Sequence, residues 1–345
     1  MTAPVSVAYL CPRNPLMGGE YYRATRPAAL AAWKWNWEAY PTATLLTEAD
    51  NDGGRLSFTT PRGDPFTPDI IIVRPVREWT REWTEQAHAA GQMVVADLDD
   101  DLWSHERYDE LAVTDPDHYN EWFFETDAVL VSTRPLARRV RELGHRSPVK
   151  VAPNCFDPWG LNGSPKPGHT IGTRLWMGGR MEDDLRLYDE LYLPLLEPLA
   201  LSFLHVGAGE QGRFIDRGWP EERLIERRTV VIPLLAQALE GLNVGAIAMA
   251  EHAYNSAKTQ THAIELASLG VPLVAATSVE HYRDVPGRVD PTPEAVESRL
   301  RDLLDPYVWL RESDRARRWS RQVALRAETR HLESLLSLSH VLLSR

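Results

Sequence analysis

Cysteine is scarce: Cys11 and Cys155 are the only two in 345 residues, and they lie far apart. Two such thiols build neither a disulfide framework nor, by themselves, a zinc site, so a reducing, cytoplasmic setting is expected. Long apolar runs are absent, and nothing approaches the roughly 20 residues that span a bilayer. The opening MTAPVSVAYL has no basic region and no cleavage site; it reads as a first β-strand rather than a signal peptide. Positive charge is in deficit, with 38 Lys and Arg against 49 Asp and Glu for a net charge of −11. That balance argues against indiscriminate binding of a phosphate backbone and leaves room for a local basic cleft. Short-period repeats and low-complexity tracts are also missing.

What is present is the composition of a globular chain, 43% hydrophobic and 25% charged, long enough for two domains of ordinary size. In the first half, β-branched runs predict strands over Val5–Leu10, Asp69–Val73, Met93–Asp97, Ala128–Ser132 and Val149–Ala152. Helical patterns lie between them, near Arg26–Trp37, Glu78–Ala90, His118–Phe124 and Pro135–Leu143. Strands alternating with helices imply βαβ units on a parallel sheet. Residues 160–170 crowd glycine, proline and small polar residues into a linker. The alternation then restarts, with strands expected over Ile171–Met177, Leu201–Val206, Val244–Ala250 and Val271–Ala276. The matching helices are expected over Asp183–Leu191, Leu234–Glu240, Ala257–Leu269 and Pro293–Leu304. The expected division is an α/β domain over 1–159, the linker, a second α/β domain over 171–312 and a helical tail over 313–345. In doubly wound sheets ligands sit beyond the carboxyl ends of the strands, which directs attention to the residues after each strand.

The segment from Asn255 to Pro272 carries the most information. Asn255 or Ser256 suits a helix N-cap, Gly270 suits the stop and Pro272 opens the next strand. On one uninterrupted helix, Lys258 falls in the first turn beside free N–H groups and the positive dipole end. Glu265 follows about 700° and roughly 10 Å further along, on the same face, with His262 between them. One reading is a cation and helix end for a diphosphate, with a carboxylate one nucleotide length away to accept hydrogen bonds from ribose hydroxyls. The other is a solvated helix face with an ordinary Lys/Glu pattern. Elsewhere, Trp176-Met-Gly-Gly-Arg180 ends the first predicted strand of the second domain; its glycines admit a phosphate to the backbone and Arg180 offsets charge, unless it is simply a tight turn. Gly207-Ala-Gly-Glu-Gln-Gly212 formally matches the dinucleotide fingerprint, but it follows the second strand of its domain and precedes a poor helix. Asp97-Leu-Asp-Asp-Asp101 admits three readings: a metal site, a general base or acceptor clamp, or a solvated strand end with a helix cap.

The block Tyr254, Asn255, Ser256, Ala257, Lys258, Ile264, Glu265, Ala267, Gly270, Val271, Pro272 resembles the donor-site helix of GT-B glycosyltransferases, especially family 4 and related enzymes of bacteria and bacteriophages. Glu265 matches the family glutamate that binds the nucleotide ribose, and Lys258 stands in place of its partner glutamate. The glycine loop Met17-Gly-Gly-Glu-Tyr-Tyr-Arg23 and Val151-Ala-Pro-Asn-Cys-Phe-Asp157 are also similar to segments of that family, so that the likeness covers most of residues 5 to 290. It implies two Rossmann-like domains facing a cleft, the first for the acceptor and the second for a nucleotide-sugar donor, with the tail crossing back onto the first. It implies sugar transfer from a nucleotide-diphosphate sugar with retention, hexosyl transfer being the type, and with neither metal nor cofactor. Lys258, Arg180, Asp99 and Asp100 become the catalytic candidates. Gly178, Gly179, Gly207, Gly209, Asn255, Ser256, Ala257, His262 and Glu265 become the donor-binding set. Gly18, Gly19, Arg23, Asp97 and Asp101 face the acceptor side, with Arg23 reaching toward the donor phosphates. The acceptor stays open between protein, glycan, lipid-linked sugar and modified nucleic acid. A non-catalytic sugar or nucleotide binder, and a nicotinamide oxidoreductase using Gly207–Gly212, are the alternatives.

Twelve tryptophans are many for this length. Trp33, Trp35 and Trp37 either fill a core or stack on sugars. The tail arginines Arg315, Arg317, Arg318, Arg321, Arg326 and Arg330 alternate with acids, as on a solvated face, and the leucines from Leu332 onward form a packing stripe.

Overall fold

The computed structural model describes residues 5–11, 14–43, 54–60, 62–74, 79–104, 116–157, 161, 163–175, 182–208 and 213–343. The chain divides into two compact units. Unit one comprises residues 1–156, 257–259 and 326–345; unit two comprises residues 157–256 and 260–325.

Unit one is built on β1 (Ser6–Cys11), β2 (Glu38–Ala43), a small antiparallel hairpin of β3 (Phe58–Thr59) and β4 (Pro65–Phe66), then β5 (Ile70–Val73), β6 (Met93–Leu98), β7 (Ala128–Val131) and β8 (Val149–Val151). Apart from the hairpin these pair in parallel in the order β2-β1-β5-β6-β7-β8. The apolar runs of β5 and β7 are buried at every position, as expected of strands covered on both faces. Period-two alternation splits the core into two layers. Ala8, Leu10, Ile71, Val73 and Val94 pack on one face; Val7, Tyr9, Ile70, Ile72 and Val95 pack on the other, beneath Leu332, Leu335 and Leu338 of the C-terminal helix. The helix after β1 runs from Gly18 through a π-helical turn at Tyr21–Thr25 into Arg26–Trp35. Trp37 is buried in this layer against Trp35, whereas Trp33 is 78% exposed.

Unit two carries β9 (Thr170–Arg174), β10 (Ser202–Ala208), β11 (Leu224–Arg228), β12 (Val244–Met249), β13 (Leu273–Thr277) and β14 (Arg288–Val289), all parallel, in the order β11-β10-β9-β12-β13-β14. Counted within the unit this is 3-2-1-4-5-6, the dinucleotide-fold order, with its switch point between β9 and β12. Its core joins these strands to Tyr188, Tyr192, Phe214, Trp219 and Trp309.

Several elements differ from the sequence reading. β2 and β11 lie at sheet edges, where Pro41 and the charged run Glu226–Arg228 are tolerated and mask the strand pattern. The last helix starts at Pro306 rather than near Ser313, because Asp305 Oδ1 accepts the N–H groups of Tyr307 at 2.8 Å and Val308 at 3.1 Å. The helix expected over Ala257–Leu269 is two pieces, Ala253–Ala257 and Thr261–Ser268. Asn255 therefore lies inside the first piece and caps nothing, and Gln260 precedes the second without a side-chain cap.

Candidate active site

In unit two the chain leaves β9 at the switch point. Arg174, its last residue, directs Nη1 to both carboxylate oxygens of Glu265, each at 3.1 Å. Glu265 has no exposed side-chain surface, and Arg174 keeps 15%. The shared exposed face expected for Lys258, His262 and Glu265 does not form. With the helix restarting at Thr261, Glu265 joins Ala263, Ile264, Leu266 and Ala267 on the buried side, while His262 stays half-buried. Asn255 is fully buried as well. Its Nδ2 donates to Asp184 Oδ1 at 2.8 Å and to the Ala250 carbonyl at 2.9 Å, and the same Asp184 oxygen accepts the Ala250 N–H at 2.8 Å. Asn255 thus braces the loop after β12 rather than presenting itself to a ligand. Ser256 is half-buried and donates its N–H within the helical turn to the His252 carbonyl.

Gly207, next to last in β10, has φ +137°, and a Cβ there would lie 2.0 Å from the Leu175 carbonyl oxygen. Glycine is required by that approach of two backbones. Gly178, Gly179, Arg180 and Gly209 lie outside the described residues.

In unit one the helix after β1 and the ends of β5 and β6 meet at the corresponding switch point, between β1 and β5. Arg23 and Asp97, each 1% exposed, hold one another through two hydrogen bonds, Nε to Oδ2 at 3.1 Å and Nη2 to Oδ1. Arg23 Nη1 also donates to the Ala152 carbonyl. A guanidinium closed on buried partners is a structural ion pair, which corrects the expectation that Arg23 reaches a donor phosphate. Arg74 bridges Glu20, at 3.2 Å, and Asp99, at 3.1 Å. Gly19 makes room for this: a Cβ there would stand 3.0 Å from Asp99 Oδ2 and 3.2 Å from Arg74 Nη2. Gly18 opens the same helix.

Lys258 is placed in unit one. Its Nζ lies 3.3 Å from Asp100 Oδ1, with 14% and 33% of the two side chains exposed. Its neighbours are fixed there too. Ala257 is buried in the first core and its carbonyl accepts from Thr133 Oγ1 at 2.8 Å, and Thr259 Oγ1 accepts from Asn154 Nδ2 at 3.2 Å. These bonds account for the break between the two helical pieces. Asp101 is 3% exposed and accepts from Ser104 Oγ at 2.6 Å.

The charges set the titration of this cluster. Burial would push the Asp99 carboxyl up, but attraction to Arg74, Arg23 and Lys258 prevails and holds it below the usual carboxylate range. Burial wins at Asp101 and raises its carboxyl against Ser104 and Arg139. The reading of Asp97–Asp101 as a solvated strand end fails at Asp97 and Asp101, which are buried. Among the described residues no three His, Cys, Asp or Glu side chains converge as a metal site would need; cations separate the carboxylates instead. Asp99 and Asp100 keep partial exposure beside Arg74 and Lys258, where their oxygens can accept a hydrogen bond from a hydroxyl.

Arg174, Arg74 and Asp184 were not singled out by sequence reasoning. Arg174 falls inside the strand expected over Ile171–Met177 and ends β9 only in the structure, so nothing in the sequence marked it; Arg74 directly follows the strand expected over Asp69–Val73.

No protein-family model matches the chain, and no curated protein matches it. Solved structures do. Sucrose-phosphate synthase from Thermosynechococcus elongatus is 14% identical with a TM-score of 0.65, covering 99% of this chain and 100% of that one. A Listeria monocytogenes protein assigned as a UDP-N-acetylglucosamine 2-epimerase is 13% identical with a TM-score of 0.51, covering 96% and 97%. TarM is 12% identical with a TM-score of 0.56; the match covers 83% of this chain, which spans only 62% of TarM. These likenesses, with two six-stranded parallel sheets of the orders given above, establish that the chain has the GT-B fold, two Rossmann-like α/β domains followed by a long C-terminal helix.

Proposed function

We propose that the protein is a glycosyltransferase that moves a sugar, a hexose by type, from a nucleotide-diphosphate sugar to an acceptor hydroxyl. One observation carries this reading: a buried carboxylate, Glu265, stands at the switch point of a dinucleotide-order sheet and is held there by Arg174. Arg174 fixes both oxygens of Glu265, and in this reading that carboxylate is the one turned to the ribose hydroxyls. Departure of the diphosphate develops negative charge, which Arg174 and Arg180 are suited to offset. On the acceptor side Asp99 and Asp100 receive the hydroxyl, and Lys258 orients Asp100. Retention of configuration, metal independence and a cytoplasmic setting belong to this reading. The acceptor is a protein, a glycan, a lipid-linked sugar or a modified nucleic acid.

The test is a thermal-shift screen against UDP, GDP, TDP and ADP and their sugars, followed by an assay of diphosphate release with and without acceptor. Stabilisation by none of these nucleotides would end the proposal. Within it, Lys258→Ala is expected to lower kcat by about 10²-fold with little change in KM. Glu265→Ala is expected chiefly to raise KM for the donor. Unchanged kinetics in either variant removes that residue from its role.

The likeness to the assigned 2-epimerase favours a second reading, a nucleotide-sugar epimerase. It predicts interconversion of two donor sugars with no acceptor present, which chromatography of the incubated donor separates from transfer.

A further inference from the structure

We propose that the outward face of the C-terminal helix between Tyr307 and Leu325 is a docking surface for an anionic lipid bilayer, its arginines meeting headgroup phosphates and its tyrosine and leucines entering the interface. The surface lies within unit two and does not rest on the donor reading above.

Along the sequence the arginines of this helix alternate with acids, and the fold sorts them. Glu312 turns inward and is 5% exposed. Its Oε2 accepts from Nη2 of Arg299, on the helix Pro293–Leu304, at 2.6 Å. Arg311 Nε and Arg315 Nη1 stand 3.3 and 3.6 Å from the same carboxylate, yet 70% and 62% of their side chains stay in solvent. One carboxylate shared by three guanidiniums leaves an excess of positive charge outside. At about 100° per residue Tyr307 and Leu325 are five turns apart and in line, about 27 Å along the axis. Arg311, Arg318 and Arg321 fall within about 40° of that line and Arg315 within about 80°, and all four are exposed. Asp314 is the one exposed acid on the strip. Asp305, just before it, is engaged by the N–H groups of Tyr307 and Val308.

Four positive charges against one, in a chain of net charge −11, suit an anionic partner met at short range, because salt screens acids more than about 8 Å away. The apolar side chains choose among such partners. Tyr307 is 85% exposed, and Leu310 and Leu325 are exposed as well. A nucleic-acid duplex would leave all three in water. A bilayer offers phosphates above an apolar layer and takes up both kinds of side chain, with the tyrosine ring buried and its hydroxyl wet.

Cosedimentation of the full chain with vesicles tests this. Binding is expected to vesicles of equal parts phosphatidylglycerol and phosphatidylcholine, weakening as salt rises, and not to phosphatidylcholine alone. Arg311→Gln with Arg318→Gln is expected to weaken binding by about 25-fold, and Tyr307→Ser with Leu310→Ser by about tenfold. Asp314→Asn, which removes the one acid, is expected to strengthen it by about fivefold, a gain that misfolding cannot mimic. Wild type that ignores the anionic vesicles overturns the proposal, as does unchanged binding in the arginine variant or in Asp314→Asn. A loss in the arginine variant with none in Tyr307→Ser, Leu310→Ser would mark the strip as a site for a polyanion such as duplex DNA and overturns the bilayer assignment.

Discussion

Arg23 and Asp97 show how a side chain's worth depends on what encloses it. Both are 1% exposed and bonded to each other, so removing one strands the other's charge in a dry core. Arg23→Met is therefore expected to cost about 3–5 kcal/mol of stability, and Arg23→Met with Asp97→Leu to recover most of it, in urea unfolding. A phosphate-binding arginine would behave oppositely, sparing stability and raising KM. Asp99 gives a second test at this scale. Its carboxyl is held below its ordinary 3.8 because Arg74, Arg23 and Lys258 together outweigh burial. The stability it contributes is present above about pH 3.9 and is lost as pH falls through its lowered folded value. Arg74→Met removes the largest attraction, so carboxyl NMR is expected to show Asp99 titrating at higher pH and acid unfolding beginning earlier. An unmoved titration would show that Arg74 does not set it. Asp97 and Asp99 are near neighbours in sequence with different fates, and nothing local to them distinguishes the two. Asp97 meets a guanidinium 74 residues away, and that partner is invisible to spacing.

Among the elements, the C-terminal helix contributes His331 to unit one. It is fully buried, with Nδ1 2.7 Å from the Pro153 carbonyl oxygen. Burial, with the nearby Arg23 charge adding to it, pushes the imidazole down from 6.5 to about 3. A histidine depressed on folding stabilises fully while neutral, above about pH 6.5, and loses that contribution as pH falls toward about 3. The expected slope is up to about 1.4 kcal/mol per pH unit over that window. His331→Gln is expected to flatten it relative to wild type in urea unfolding at several pH values. The comparison isolates His331 from His281 of unit two, which burial lowers to about 4. Equal slopes in the two proteins would exclude His331 as the source. At the same scale, Pro293–Leu304 was legible to the residue, because Thr292 caps it through the Ala295 N–H and proline occupies the first turn. The break at 258–260 was not legible, since helix propensity runs through it and the competing bonds come from Thr133, Asp100 and Asn154.

For the whole molecule, two six-stranded parallel sheets with switch points at β1/β5 and β9/β12 define where ligands can sit in each unit. A nucleoside diphosphate at about 100 times its Kd is expected to stabilise the native protein by about 2.7 kcal/mol. The matching nucleoside at the same concentration is expected to do less. Equal shifts in thermal unfolding would mean that the phosphates are not recognised. The acidic balance of −11 requires any such recognition to be local rather than a matter of the net field.

By itself the sequence determined the alternation of strands and helices, the two α/β halves and the apolar runs that fill both sheets. Those features are written in local periodicity, and burial of both faces of a parallel sheet leaves strands such as β5, β7, β12 and β13 no other reading. Only the tertiary structure decided which charges face each other. Lys258 meets Asp100 across 158 residues and Arg174 meets Glu265 across 91. Electrostatic attraction acts through space and leaves no period along the chain, so the fold alone could turn Glu265 to Arg174 and set Lys258 against Asp100.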